Sequence, residues 1–278
     1  MRKISPSDIT AGVKELCIRA ACELGNDVLI ALKRLKEIEE SPVGKEVLSQ
    51  IIENAGIALK ESSPMCQDTG IAVLFVELGR DITLDGSLED AINEGVRQGY
   101  NEGFLRKSVC HPLTRVNTGD NTPAIIHTRI VEGGRLKITF APKGAGSENM
   151  SRLAILKPFE GMEGVKRFVV STVRESGGNP CPPIIVGVGI GGNFEKTTIL
   201  AKESLLREVG SKNPDKDLAS LEAELLDEIN GLGIGPMGFG GRATALTVHI
   251  KSHPCHIASL PVAVNIQCHA ARHKEMVI

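Results

Sequence analysis

The spacing of apolar residues changes at one loop, residues 63–70, and this change constrains the fold more than any other feature. Before the loop, apolar residues repeat at helical spacing in three segments, residues 6–24, 26–38 and 44–59. After it, residues 71–78 form a short apolar run typical of a strand. The loop sequence is Ser-Pro-Met-Cys-Gln-Asp-Thr-Gly, whose turn-forming residues place polar side chains beside the Cys66 thiol. We call this segment the Cys66 loop.

Helical and strand-type segments continue beyond the Cys66 loop. The spacing predicts further helices over residues 88–107, 160–175, 194–209 and 215–229. It predicts strands or apolar segments over residues 124–131, 136–140, 184–188, 244–250 and 257–266. Gly133-Gly134 lies between two of these runs and predicts a β-hairpin. We therefore expect a mixed α/β (α+β-like) fold, in which a helical N-terminal region and mixed sheets pack together in a single domain, residues 1–278.

The composition excludes several classes of protein. Aromatic residues make up 3% and Trp is absent, so the core must be aliphatic, for which 41% apolar residues in 278 suffice. A net charge of −2 without a basic run argues against nucleic acid or an anionic membrane as partner. The N-terminus lacks the apolar stretch of a secretory signal, and no apolar run approaches the ~20 residues of a spanning helix. We expect a cytoplasmic protein.

Three of the seven cysteines are the main ligand candidates, the one in the Cys66 loop and two in similar polar or proline-rich settings. They are Cys66, Cys181 in Asn-Pro-Cys-Pro-Pro, and Cys268, which precedes His269. In a chain without a signal sequence, an odd number of irregularly spaced cysteines favours metal binding or catalysis over disulfides. One hypothesis is that the three thiolates hold one iron–sulfur cluster. The alternative is three unrelated buried thiols, since free cysteine usually behaves as a small apolar residue, as we expect for Cys17 and Cys22 in the first helix.

A glycine pattern supports a different class of function. Gly187, Gly189 and Gly192 have the spacing G-x-G-x-x-G, after a predicted strand and before a predicted helix, which is typical of nucleotide-dependent oxidoreductases. However, the next segment is again helical, so no strand supplies the acidic residue expected about 20 residues later. Glu208 is at that distance but within a predicted helix. A tight turn that packs closely explains the glycines equally well.

A non-catalytic iron–sulfur or zinc-binding module is a third class. Zinc usually takes four ligands, often in paired C-x-x-C motifs, and this sequence contains none. Electron carriers usually supply four cysteines to their cluster. Spacing alone does not exclude further ligands on proline-flanked loops, namely Cys110, His111, His253 and Cys255.

Residues 142–149, Pro-Lys-Gly-Ala-Gly-Ser-Glu-Asn, indicate a second functional loop. Small residues beside Lys143 and Ser147 are typical of a backbone that approaches an anion closely. A flexible turn has the same composition, so both interpretations stand at this point.

Five motifs together resemble the class I, iron–sulfur fumarate hydratases. They are residues 65–70, 117–123, 143–149, 178–183 and 265–270. The resemblance covers nearly the whole chain. It is strongest to the separate α subunit of the two-subunit members, which include L-tartrate dehydratase.

The resemblance implies a [4Fe-4S] cluster bound by Cys66, Cys181 and Cys268. It implies that Asp68 and His256 are catalytic. The implied substrate-binding residues are Gln67, Arg106, Gly144, Ala145 and Gly146. The family usually has glycine where Ala145 stands, so its methyl group could crowd a backbone contact to the substrate.

The implied reaction is the reversible dehydration of (S)-malate to fumarate, a step of the tricarboxylic acid cycle. Three thiolates leave one iron open, and that iron can act as a Lewis acid on the C–O bond. Arg106 suits a carboxylate because guanidinium pairs with it in a bidentate manner, and His256 could relay a proton. L-Tartrate is also a four-carbon dicarboxylate, so it remains the alternative substrate.

The resemblance also implies a partner. A dicarboxylate needs a second cationic anchor and the C3 proton needs a base, and no further motif here clearly supplies them. Single-chain relatives carry a second domain, whereas this chain ends ten residues after Cys268. We therefore expect a separate β subunit, in an α2β2 assembly, and no nucleic-acid or membrane partner.

Overall fold

The structure is a computed structural model that describes residues 2–278. Its helices are α1 (Pro6–Cys22), α2 (Asn26–Ile38), α3 (Pro42–Glu61), α4 (Leu88–Glu102), α5 (Ala145–Glu148), α6 (Gly161–Ser176), α7 (Phe194–Ser204) and α8 (Lys216–Asn230). Its strands are β1 (Arg2–Ile4), β2 (Ile71–Gly79), β3 (Ile82–Leu84), β4 (Ile125–Val131), β5 (Leu136–Lys143), β6 (Arg152–Leu156), β7 (Ile184–Gly191), β8 (Ala245–His253), β9 (Leu260–Gln267) and β10 (Lys274–Val277). The mixed α/β fold class is confirmed.

The chain forms two compact units. The first unit contains the residues up to Leu24, Ala55–Gly144 and Arg272–Ile278, and the second contains Gly25–Asn54 and Ala145–Ala271. Each unit has its own cluster of buried, mostly aliphatic side chains. The division into compact units does not test the single domain expected from the sequence, which remains a prediction. Among the helices of residues 2–278, none combines the length and apolarity needed to cross a membrane.

The first unit is built on a four-stranded sheet with the order β10-β5-β2-β4. Helices α1 and α4 contribute to the same core as β2 and β5. A Cβ atom added at Gly99 of α4 would lie 2.7 Å from Cys17 Cβ, so this glycine lets α4 approach α1 closely. Cys17 therefore packs in the core, as expected, and burial raises the pKa of its thiol.

The predicted hairpin is wrong, because β2 lies between the two strands that Gly133-Gly134 connects. Strand β4 pairs parallel with β2, and β5 pairs antiparallel with its other edge. The connection instead wraps around the end of β2: Gly79 N–H donates to Arg135 O (2.9 Å) and Asp81 N–H to Gly133 O (3.0 Å). Since β2 is largely buried along its length, the apolar strand takes the central position and gains two partners instead of one.

The second unit contains the sheet β6-β9-β7-β8, in which β7 is parallel to β8 and antiparallel to β9. Alternate residues of β7 point to opposite faces. Ile184, Val186 and Val188 share a core with α6 and α8. Gly187 and Gly189 face α7 on the other side, where added Cβ atoms would lie 2.3 Å from Ala201 O and 2.1 Å from Thr197 O.

This packing explains the G-x-G-x-x-G spacing. Gly187 and Gly189 lie inside β7 rather than in a phosphate-binding turn, and their missing side chains make room for α7. Helix α7 is followed by α8 rather than by a strand. Helix α7 ends at Ser204 and is shorter than predicted, so Glu208 lies beyond its end. The glycines therefore serve close helix–sheet packing.

Other boundaries also differ from the sequence prediction. The helix expected over residues 88–107 ends at Glu102, where Gly103 caps it. Strand β5 extends to Lys143, and the following residues form the short helix α5 instead of an irregular loop.

Candidate active site

The Cys66 loop follows α3 and leads into β2 in the first unit. Met65 N–H donates to the Ala21 carbonyl (3.0 Å) near the end of α1, which anchors the start of the loop. Asp68 N–H donates to Cys66 Sγ (3.4 Å), and Gly70 N–H donates to Asp68 Oδ1 (3.0 Å). The loop thus turns back on itself and directs a backbone donor at the sulfur. Cys66 is half-buried and Gln67 is exposed.

Buried neutral side chains hold the second half of this loop. Tyr100 Oη donates to the carbonyls of Thr69 (3.1 Å) and Gly70 (2.8 Å). Asn121 Nδ2 donates to Gly70 O as well (3.2 Å), while its Oδ1 accepts from Ser108 N–H (2.7 Å). Burial raises the pKa of Tyr100, so its hydroxyl stays protonated and remains a donor. The 117–123 motif therefore supports the Cys66 loop from inside the unit.

A charged residue holds the loop one residue earlier, at Asp68. Arg272 Nη2 donates to the Asp68 carbonyl at 2.6 Å. Sequence reasoning missed Arg272, Tyr100 and the role of Asn121, because these residues act across long sequence separations. The only local signal was that Asn121 and Arg272 lie in or just after two of the motifs.

Arg106 and Gly144 lie against the same loop. Thr69 Oγ1 donates to the Arg106 carbonyl (2.8 Å), which fixes the backbone of an otherwise exposed arginine. An added Cβ at Gly144 would lie 3.0 Å from Asp68 Oδ2, so glycine leaves this carboxylate its space. The first unit therefore brings together Cys66, Gln67, Asp68, Arg106 and Gly144.

Cys181 and Cys268 belong to the second unit, and one histidine joins their segments. His269 Nδ1 lies 3.0 Å from the Cys181 carbonyl oxygen, and His269 N–H is directed at the same oxygen (3.5 Å). Cys181 has a φ of +56°, an unusual conformation for a residue with a side chain. Gln267 Nε2 donates to Cys268 Sγ (3.5 Å). Both cysteines are half-buried.

Ala145 and Gly146 form the start of helix α5 in the second unit and are exposed. The space beside Gly146 adjoins the Asn179 carbonyl, which an added Cβ would meet at an ordinary 3.6 Å. Gly146 is thus near the segment that carries Cys181. The effect of the Ala145 methyl group on a substrate stays a prediction.

A partly buried polar network, not foreseen from the sequence, secures α5. Lys202 Nζ forms an ion pair with Glu148 (2.6 Å), and Asn265 Nδ2 donates to the same carboxylate (2.7 Å). Asn265 Nδ2 also contacts Ser151 Oγ (2.7 Å), which accepts from Ile266 N–H (3.1 Å). The network ties α5 to the end of β9, just before Cys268. Glu148 and Asn265 lie in two of the motifs, but Lys202 in α7 gave no local signal.

His256 lies on an exposed loop between β8 and β9. Its Nδ1 accepts from Ala258 N–H (3.1 Å) and its carbonyl from Ser259 N–H (2.9 Å), so these contacts are within its own loop. On the same loop, the Cys255 thiol donates to Ser259 O (3.2 Å). In the first unit, His111 Nδ1 accepts from two backbone N–H groups of its own turn. The proton-relay role of His256 stays a prediction.

The cysteines differ in a way that bears on cofactor binding. Cys17 and Cys22 are buried, whereas Cys66, Cys181 and Cys268 are half-buried on loops. Cys110 is half-buried too, Cys255 is exposed, and none of the seven forms a disulfide. Within residues 2–278, no three His, Cys, Asp or Glu side chains surround a position for a single metal ion. In a four-iron cluster each thiolate binds a different iron, so its ligands are spread more widely than those of one ion. The donor type and partial exposure of the three loop cysteines fit such a cluster.

The chain belongs to the fumarate hydratase (Fumerase) family, which matches residues 10–277. Fumarate hydratases are hydro-lyases, so the family resemblance inferred from the motifs is confirmed.

Curated relatives match along almost the whole chain. A putative L(+)-tartrate dehydratase subunit alpha of Methanocaldococcus jannaschii is 47% identical over 268 residues, which cover 94% of each chain. The L(+)-tartrate dehydratase subunit alpha of Escherichia coli K12 is 32% identical over 274 residues, covering 97% of this chain and 90% of the relative. That of E. coli UTI89 is 33% identical over 268 residues, covering 95% and 88%.

Proposed function

We propose that this chain is the α subunit of an iron–sulfur hydro-lyase that interconverts (S)-malate and fumarate. The observation that carries the proposal is the family match over residues 10–277, together with three half-buried cysteines on loops within the family motifs. Cys66, Cys181 and Cys268 would hold a [4Fe-4S] cluster. When bound, the cluster supplies an iron without a protein ligand, which serves as a Lewis acid for the C–O bond.

The first unit offers groups that bind and orient a carboxylate substrate. Arg106 has a backbone fixed by Thr69 and an exposed guanidinium, which pairs well with a substrate carboxylate. Gln67 is exposed beside the cysteine and suits a hydroxyl or carboxylate oxygen. Gly144 leaves the Asp68 carboxylate its space, because an added Cβ would lie 3.0 Å from Asp68 Oδ2. Gly144, and Gly146 of the second unit, would let the backbone approach the substrate, whereas the methyl group of Ala145 would narrow that approach.

Asp68 and His256 are the proposed proton-handling residues. The Asp68 carboxylate is oriented by Gly70 N–H, which leaves Oδ2 facing Gly144. His256 accepts a backbone hydrogen bond at Nδ1, so its Nε2 would carry the proton in the neutral form. An imidazole donates a proton at one ring nitrogen and accepts at the other, so it suits a relay to solvent.

L-Tartrate is the second candidate substrate, because the relatives at 47% and 32% identity are named L(+)-tartrate dehydratase subunit alpha. Tartrate differs from malate by one hydroxyl group at C3. The names of these relatives, as alpha subunits, also support a separate β subunit. We propose an α2β2 assembly in the cytoplasm. The β subunit would contribute the second carboxylate anchor and the base for the C3 proton.

The substrate is tested by steady-state kinetics of the reconstituted complex under anaerobic conditions with (S)-malate, fumarate and L-tartrate. We expect the highest kcat/KM with malate and fumarate. A site that favours its own substrate through one hydroxyl group commonly discriminates by ~10-fold to 10⁵-fold. A higher kcat/KM for L-tartrate would reject the malate assignment in favour of the second candidate, and no activity with any of them would reject the hydro-lyase proposal.

A further inference from the structure

Arg272 is a buried cation with unused hydrogen-bond donors. It follows Cys268 by four residues, precedes β10, and is 5% exposed. Its Nη2 donates to the Asp68 carbonyl at 2.6 Å, whereas Nε and Nη1 are buried without a hydrogen-bond partner in residues 2–278. A guanidinium carries five N–H donors. Burying a charge whose donors are mostly unpaired is costly, so the position calls for an explanation.

The hydrogen bond to Asp68 holds the Cys66 loop two residues after its cysteine. Tyr100 and Asn121 hold the carbonyls of Thr69 and Gly70, the end of the loop that enters β2. Arg272 holds the carbonyl of Asp68, two residues after Cys66. Because a hydrogen bond from a charged donor is about twice as strong as a neutral one, loss of Arg272 would release the backbone around Asp68, while Tyr100 would keep Thr69 and Gly70 in place.

The charge of Arg272 acts on its surroundings. Burial raises the pKa of the Cys22 thiol, and the positive charge of Arg272 opposes that rise. A nearby cation in the same way favours the thiolate form that binds metals. An iron–sulfur core bound by three thiolates is anionic overall, and its potential depends on nearby charge and hydrogen bonds.

We propose that Arg272 is a positioning residue that fixes the Cys66 loop through the Asp68 carbonyl and supplies a buried positive charge that stabilises the thiolate-bound cluster. The charge role rests on the proposed function, whereas the loop role depends only on this chain. The loop role and the charge role together explain why a cation is buried beside a backbone carbonyl, in a position where a neutral donor would be less costly.

The loop role is tested by amide hydrogen exchange of the cluster-free full chain. In Arg272→Gln we expect the amides of residues 66–68 to exchange roughly tenfold faster or more, since a charge-assisted hydrogen bond is lost, and those of Thr69 and Gly70 to change less. The matched control is Arg207→Gln, which removes a half-buried arginine paired with the buried Glu222 in the second unit. It should speed exchange around α8 and β8 and leave residues 66–70 unchanged. Equal exchange at residues 66–68 in Arg272→Gln and the unaltered chain would overturn the loop role.

The charge role is tested on the anaerobically reconstituted chain by iron content and by the reduction potential of the cluster. A positive charge favours the reduced cluster, so Arg272→Gln should lower the potential, and Arg272→Lys should restore it towards the unaltered value. A potential in Arg272→Gln equal to that of the unaltered chain overturns the charge role. If the unaltered chain binds no iron, the proposed function and the charge role both fail, and hydrogen exchange still decides the loop role.

Discussion

At the residue scale, some cysteines pack in the core and others are candidate ligands of the cluster. We predict that Cys66→Ser, Cys181→Ser and Cys268→Ser each lose most of the iron and the broad visible absorbance of the reconstituted chain, because serine is a poor ligand for iron in such clusters. Cys17→Ala should keep both, since Cys17 packs in the core and burial raises the pKa of its thiol. Normal iron content in any of the three serine variants would contradict the ligand assignment.

Arg106 offers a second test at this scale. Arg106→Lys should lower kcat/KM of the complex by an amount equivalent to about 2 kcal/mol or more, because an ammonium group cannot replace a bidentate guanidinium. The control is Arg129→Lys, an exposed arginine of β4 that pairs with Glu77. That variant should retain the kinetics of the unaltered complex. If Arg106→Ala also retained them, Arg106 would be a solvated charge at the end of the α4 region.

Sequence motifs predict these individual residues but not the residues that support them. Cys66, Cys181 and Cys268 each lie beside prolines or polar residues, which is visible locally. Arg272 contacts Asp68 across 204 positions and Lys202 contacts Glu148 across 54. No local pattern marks such partners, because a buried arginine and a surface arginine look the same in one sequence.

At the element scale, the sequence indicated most helices and strands but not how the strands pair. Gly133-Gly134 suits a hairpin turn, yet the same flexible pair allows the chain to pass around the end of β2. The choice depends on the burial of β2, which gains partners on both edges. Pairing between distant strands is decided by packing of the whole sheet, to which a local turn signal contributes little.

Glu39, at the end of α2, gives a prediction about one element junction. Its buried carboxylate accepts hydrogen bonds from the backbone N–H groups of Glu40, Ser41, Arg242 and Ala243. Burial alone would raise the pKa of Glu39, but these four donors outweigh it and lower the pKa. Glu39→Gln should therefore reduce the free energy of unfolding by about 1.5–3 kcal/mol at pH 7, measured with urea.

The control for Glu39 is its neighbour Glu40, an exposed carboxylate paired with Arg242. Glu40→Gln should change stability by less than about 1 kcal/mol, as is usual for exposed ion pairs. Because the pKa of Glu39 is lowered on folding, its contribution is present above its unfolded pKa and is lost as the pH falls through its folded pKa. Equal stability of the two variants at pH 7 would contradict the role of Glu39.

His249 in β8 predicts a second pH effect on stability. Burial lowers its pKa to about 4, with the nearby Arg207 charge acting in the same direction and Glu222 opposing it. Between pH 6.5 and 4 the unfolded chain therefore binds a proton that the folded chain does not, so stability falls as the pH is lowered, by on the order of 3 kcal/mol. The stability of the His249→Gln variant should depend less on pH over this interval. An unchanged slope in that variant would show that other groups cause it.

At the scale of the whole molecule, the family and its reaction class followed from ordered motifs rather than from composition or topology. The motifs span both compact units, and the family match extends over residues 10–277. The division into two units left no trace in the sequence, because the chain enters and leaves each unit within regular elements or short turns. Helix α3, for example, continues through the change of unit after Asn54 without a break in its apolar spacing.

The last prediction concerns what this chain achieves without a partner. The proposed site includes one exposed arginine suited to a substrate carboxylate, Arg106, whereas a dicarboxylate requires two anchors and its C3 proton requires a base. We therefore predict that the reconstituted full chain binds iron but has less than about one hundredth of the hydratase activity of the complex, since loss of a general base commonly reduces rates by 10²-fold to 10⁴-fold. Adding the β subunit should restore activity and form a large interface, roughly 2,000 Å² or more. Activity of the chain alone equal to that of the complex would mean that the base and the second anchor reside here, and that His256 or Asp68 performs more of the chemistry than we assign to it.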